Sequence, residues 1–144
     1  MHLKTASVLG MASLLCTFAS SSQCTELVVI VSAKNLVSAM RADQVSDIFL
    51  GQNSSFPDGK EAVALDQSAG SSLRDAFYHK VASKSAPLLK AYWAKMIFTG
   101  RGQPPREVVS SLAMRKLVAE NPSLIGYIDK ATLDASVKSV LLLP

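Results

Sequence analysis

Apolar and polar positions along the chain follow two periods, and together they predict alternating strands and helices. Leu27–Val31 is a continuous, mostly β-branched run, the pattern of a strand covered on both faces. Ala42–Leu50 has apolar residues on one side and polar residues on the other, which predicts a short amphipathic helix that ends at Gly51. Ala62–Leu65 is apolar and short, and we expect a buried strand there.

Helical spacing dominates the middle of the chain. Leu73, Phe77 and Val81 are four residues apart, which predicts a helix beginning near Gly70. Ser85–Pro87 is typical of the start of a further helix. We expect that helix to bury one broad apolar face, with Trp93 in the core. The face comprises Leu88, Leu89, Tyr92, Trp93, Met96 and Ile97.

The last third returns to strands. Ser111–Glu120 is an amphipathic helix, and Leu124–Ile128 is a strand in which Gly126 permits a close backbone approach. Lys130–Ala135 predicts one helical turn, and Val137–Leu142 a final strand. This alternation predicts an α/β domain with a mixed sheet flanked by helices.

Residues 1–22 have the pattern of a secretory signal peptide. One lysine precedes a mostly apolar core, and small residues follow, with cleavage expected after Ser21 or Ser22. The apolar run is too short for a permanent membrane anchor, and no other stretch is long enough. We therefore expect a periplasmic or secreted protein with one domain over residues 25–144. Cys24 would be its only cysteine, which leaves no internal disulfide.

Charge narrows the choice of partners. The chain has 15 basic and 11 acidic residues, and loss of Lys4 with the signal leaves a formal charge of +3. This mild excess suits small anions, whereas nucleic-acid binding needs clustered basic residues.

One stretch stands out as a candidate anion site. After Leu65 the chain turns through small residues into a helix, and such a turn presents unpaired backbone N–H groups at the positive end of the helix dipole. The hydroxyls of Ser68, Ser71 and Ser72 surround Gly70, and Arg74 adds a charge on the first turn. The alternative is that these residues only cap a structural helix.

A second candidate is the loop Phe98–Arg106, which two glycines and two prolines constrain. It could deliver Arg101 or Arg106 to an anion, or it could be a plain connector with solvated charges.

Catalytic motifs are missing from the sequence. Apart from the signal, His79 is the only histidine, and it has no cysteine or acidic residue at a metal-binding spacing. The sequence contains neither a nucleophile elbow nor a glycine-rich nucleotide motif. We therefore expect neither an enzyme nor a bound cofactor or metal.

Several segments resemble the phosphate-binding, substrate-capturing proteins of ABC transporters, which have the type II periplasmic binding protein fold. The resemblance lies in Gln44–Gly51, the Gly70–Ser72 turn, Ile97–Pro105 and Leu124–Ile128. It implies a phosphate or similar oxyanion ligand held at Ser68–Arg74, and an ABC permease or another protein as partner.

The chain also departs from that family. It is long enough for only one of the family's two lobes, and the glycine/serine phosphate loop of the first lobe has no counterpart. Asp66 stands where the family has an arginine, and a carboxylate there would repel an anion or accept a hydrogen bond from a protonated one. Two hypotheses follow: a single-lobe oxyanion-binding protein, and an accessory or interaction module that keeps the fold without phosphate.

Overall fold

The computed structural model describes residues 25–144; the predicted signal peptide and both cysteines lie outside the described residues. Strands and helices alternate along the chain much as the sequence predicts. The elements are β1 Leu27–Ser32, α1 Ala42–Phe49, β2 Val63–Gln67, α2 Ser72–Ala82, α3 Ala86–Phe98, β3 Arg106–Val108, α4 Ser111–Glu120, β4 Leu124–Asp129 and β5 Val137–Leu143. A 3-10 turn, Lys130–Thr132, links β4 to β5. No described helix is long and apolar enough to cross a bilayer.

The strands form one five-stranded sheet in the order β3-β2-β4-β1-β5. β2 runs parallel to β3 and β4, whereas β1 runs antiparallel to β4 and β5. The expected α/β fold with a mixed sheet flanked by helices is therefore confirmed. All six residues of β1 are buried, in keeping with its continuous apolar run; the last, Ser32, donates its hydroxyl to the Ala119 carbonyl.

Helices cover both faces of the sheet. The larger apolar cluster holds buried side chains of α1, α2 and α3, and the smaller one holds those of α4. Trp93 and Phe56 belong to the larger cluster, so the expected core position of Trp93 is confirmed. On the other face, α4 packs directly on Gly126, where an added Cβ would lie 2.5 Å from Met114 Sδ.

Three features differ from the expectation. β2 continues through Asp66 and Gln67 instead of ending at Leu65, because both residues pair with β3 in parallel register. β3 was not expected: its first residue, Arg106, is the last residue of the predicted loop, and no element was predicted for Glu107 and Val108. In α3 only Leu89 and Trp93 are buried; Leu88 and Ile97 of the expected buried face are more than half exposed.

Candidate functional site

The carboxyl end of β2 holds a buried acidic residue, Asp66, whose side chain is 1 % exposed. Its Oδ1 accepts hydrogen bonds from the Tyr127 hydroxyl (2.5 Å) and the Gln67 amide (2.8 Å). Its Oδ2 accepts from the Tyr78 hydroxyl (2.7 Å) and from Nε of Arg74 (3.1 Å). Four donors therefore compensate the buried carboxylate.

The side chain of Arg74, on the first turn of α2, extends back to Asp66 and neutralises its charge. Its side chain is 13 % exposed, and its guanidinium also lies 5.4 Å from the centre of the Tyr78 ring. Burial lowers the pKa of Arg74, but the Asp66 carboxylate raises it by more, so the guanidinium stays charged. Arg74 therefore places a positive charge at the start of α2, and its Nε donates a hydrogen bond to Asp66.

Burial and, after it, the Asp66 carboxylate raise the pKa of Tyr78 and of Tyr127 above the ordinary value. Both hydroxyls therefore remain protonated and act as donors at neutral pH. Phe77 stacks on Tyr127 with 3.8 Å between the ring centres, and Phe49 meets Phe77 edge-on at 4.7 Å. This aromatic packing fixes the direction in which Tyr127 presents its hydroxyl.

The loop after Asp66 opens α2 with a side-chain cap. Ser71 is the N-cap, and its Oγ accepts from the Arg74 amide at 3.4 Å. The Ser68 hydroxyl donates to the Val108 carbonyl at 3.4 Å and so ties the loop to β3. Gly70 has a φ of +86°, a conformation that favours glycine, and this lets the chain turn into the helix.

Some of the donors at this helix start are already used within the chain. The Ala69 amide donates to Oε1 of Glu107 at 3.2 Å, so a protein carboxylate already lies against the loop. The amides of Gly70, Ser72 and Leu73 have no hydrogen-bond partner among residues 25–144. Three backbone donors are therefore available at the positive end of α2.

The predicted site residues are distributed over several cavities. Gly70 and Arg74 line a cavity of about 530 Å³ together with Lys90 of α3. Ser72 lines a smaller one of about 240 Å³, with Lys80 on its wall. Arg101 lines a third cavity, of about 490 Å³, at the other end of α3. The structure thus brings Gly70 and Arg74 together and separates Arg101 from them.

Sequence reasoning missed Lys80, Lys90 and Glu107 as neighbours of the loop. Lys90 is one turn into α3, and its place beside Gly70 depends on how α3 crosses α2. Glu107 lies in β3, a strand the sequence did not reveal. Only the absence of acidic residues between Asp75 and Glu107 hinted at a basic surface here. Among the described residues, no group of three His, Cys, Asp or Glu side chains is placed to hold a metal ion.

Several solved structures are similar in fold to this chain. A phosphate ABC transporter substrate-binding protein of Clostridium perfringens, with bound phosphate, is 25% identical with a TM-score of 0.60 over 81% of this chain and 45% of its own. An ABC-type phosphate transport receptor of Vibrio cholerae is 20% identical with a TM-score of 0.63 over 81% of this chain and 46% of its own. PstS of Borrelia burgdorferi is 14% identical with a TM-score of 0.57, over 83% and 47%.

No protein-family model and no curated protein matches the sequence. The matched region spans less than half the length of each similar structure. The chain therefore has the fold of the phosphate-transport binding proteins in the extent of a single lobe.

Proposed function

We propose that the chain is a non-catalytic, exported binding protein that holds phosphate or a similar small oxyanion at the start of α2. The observation that carries the proposal is the set of three amides, of Gly70, Ser72 and Leu73, without a partner among residues 25–144. Oxyanions favour backbone donors at a helix start, and here Gly70 lies beside Arg74 and Lys90, with Ser72 and Leu73 beside Lys80. The phosphate-transport proteins of the same fold support this ligand class and suggest an ABC permease as partner.

The remaining predicted residues have lesser parts in the proposal. Ser71 caps α2 and Ser68 fastens the loop to β3, so both shape the site. Arg101 lines another cavity, and its contribution is confined to attracting the anion from a distance.

Calorimetric titration with phosphate and sulfate at low salt tests the proposal, on protein stripped of bound anions by unfolding and refolding. We expect a dissociation constant on the order of micromolar. Ser72→Asp should abolish binding because it places a carboxylate at the free amides. Ser72 is exposed, and an acidic residue in the first turn suits a helix, so the fold should persist.

Ser38→Asp is the matched control. It adds the same charge at an exposed position near Met40, whose amide bonds to β5 at the far edge of the sheet. Binding that survives in Ser38→Asp and is lost in Ser72→Asp supports the site. The absence of heat in the unchanged protein at millimolar anion contradicts it.

A second candidate is an accessory or interaction module that keeps this fold without binding phosphate. Two observations favour it. Nε of Arg74 already donates a hydrogen bond to Asp66, and the Ala69 amide already donates one to the Glu107 carboxylate. Under this alternative neither phosphate nor sulfate changes the Tm. The titration shows no heat of binding, either in the unchanged protein or in Ser72→Asp.

A further inference from the structure

Helix α3 uses only part of its apolar surface. Leu89 and Trp93 are its only buried residues, so one narrow side holds the helix to the core. Leu88 is 58% exposed, Ile97 53% and Phe98 92%. An exposed apolar surface of this kind is typical of a contact with another molecule.

The geometry of the helix gathers these residues on its outer side. Residues three and four apart share a face, so Pro87, Ala91, Ala94 and Phe98 form one solvent-exposed stripe. By the same spacing Lys90 lies on one flank of the stripe, and Lys95 lies on the other with Leu88. The thirteen residues of α3 extend over about 20 Å. We call this surface, residues 87–98 on the outer side of α3, the α3 face.

The stretch of chain that contains α3 carries charge of a single sign. Six basic residues and no acidic residue occur between Asp75 and Glu107; they are Lys80, Lys84, Lys90, Lys95, Arg101 and Arg106. None of the ion pairs in the described part of the chain involves any of the six. An occupant of the α3 face must therefore bring negative charge together with apolar surface.

We propose that the α3 face docks on an anionic phospholipid surface, with Phe98 and Ile97 entering the headgroup region and the lysines contacting the phosphates. This inference goes beyond the proposed function and does not depend on it. A helix that lies in a membrane interface combines basic residues on its polar sides with Phe or Leu on the other. Each basic residue near an anionic leaflet adds attraction.

Two other occupants fit the α3 face less well. A second copy bound symmetrically would bring the basic surface of one copy against the same basic surface of the other. The binding centres of protein partners are enriched in Trp, Tyr and Arg and depleted in Lys, whereas the α3 face offers lysines, aliphatic side chains and the single exposed aromatic residue Phe98. Long lysine stems can lie along the apolar surface while their ammonium groups reach lipid phosphates.

Vesicle sedimentation with the full chain tests the proposal, using vesicles of equimolar phosphatidylglycerol and phosphatidylcholine and vesicles of phosphatidylcholine alone. We expect preference for the anionic vesicles, weakened by salt. Lys90→Gln with Lys95→Gln should lower partitioning about thirtyfold, at about fivefold for each basic residue. Phe98→Ser should lower it about tenfold or more.

Lys34→Gln with Lys116→Gln is the matched control, since it makes the same change of charge at exposed positions outside α3. Residues 1–24 are identical in all variants and contribute equally, so the differences report on the α3 face. Equal Tm values for the variants confirm that the fold is kept. Equal partitioning of the control and α3 variants overturns the proposal. The proposal is also overturned if the chain shows no preference for anionic vesicles and instead cross-links through position 98 to an acidic protein.

Discussion

At the scale of single residues, Asp66 decides how the candidate site is organised. A carboxylate at the end of β2 would oppose an anion if it faced the loop, but its four donors turn it towards the interior. Arg74 thereby neutralises the carboxylate. In the proposed site, the anion would contact the backbone amides at the start of α2. Asp66 is thus a structural residue placed next to the proposed site.

Removing the Asp66 carboxylate should cost much of the stability. In Asp66→Ala two tyrosine hydroxyls and a largely buried guanidinium lose their acceptor, and we expect the free energy of unfolding to fall by about 3–5 kcal/mol. Urea denaturation measures the change. Asp43→Asn, which breaks the exposed pair with Arg41, should leave the midpoint unchanged. Equal midpoints for both variants would show that the Asp66 cluster contributes little.

The raised pKa values of Tyr78 and Tyr127 predict a loss of stability in alkali. The folded state keeps both protons above pH 10, where the unfolded tyrosines lose theirs, so the stability is complete below that pH and declines as the pH rises. The slope should approach about 1.4 kcal/mol per pH unit for each tyrosine. Tyrosinate absorbance and the Tm, both followed against pH, check this.

Tyr127→Phe provides the comparison for this pH dependence. It removes one of the two hydroxyls, and the alkaline slope should fall by about half. If both hydroxyls ionise near pH 10 in the folded protein, the prediction is wrong.

The turn that opens α2 could be located from the sequence, whereas its hydrogen-bond partners could not. The β-to-helix turn through Gly70 follows from local composition. The partner of Asp66, however, is Tyr127, 61 residues away, and Ala69 bonds to Glu107, 38 residues away. Contacts of this range depend on strand order, which no local pattern encodes. The separation of Arg101 from the other predicted residues likewise depends on the arrangement of the elements.

At the scale of elements, α4 packs directly against β4 at Gly126. Gly126 was expected to permit a close approach, and Met114 and Val118 of α4 occupy the space that a side chain there would need. Because both are fully buried, they have little room to move aside.

Gly126→Ala should therefore destabilise the protein by about 1–3 kcal/mol through overpacking. Gly102→Ala is the control, since an added Cβ there meets only Met96 Cε at an ordinary 3.4 Å. Thermal unfolding of the two variants gives the comparison. A Gly126→Ala protein as stable as Gly102→Ala would mean that α4 can shift on the sheet without cost.

Periodicity predicted the helices and the longer strands, and it failed where pairing is non-local or a face is unpartnered. β3 has three residues, two of them charged, and it exists only because β2 offers parallel backbone partners. In α3, apolar residues at helical spacing predicted one broad buried face, but only Leu89 and Trp93 are buried. Sequence shows that a helix is apolar without showing what covers it.

At the scale of the whole molecule, the first and last strands are neighbours. β1 lies between β4 and β5, and Leu27 pairs with Leu143. A chain ending after Ser136 would lack β5 and leave one edge of the wholly buried β1 without a partner. We expect that truncated chain to show no cooperative thermal transition by circular dichroism. Deletion of Pro144 alone should preserve the transition, and a folded truncated chain would contradict the prediction.

The position of β1 also sets the time at which folding can be completed. Both of its neighbours are synthesised last, roughly 100 residues after it, so at 5–20 residues per second β1 waits on the order of 5–20 s for them. Through that interval an uncharged and mostly β-branched hexamer remains unpaired, the kind of segment that aggregates when exposed. The sheet therefore cannot close around β1 until β4 and β5 have been made, and until then the chain depends on whatever shields β1.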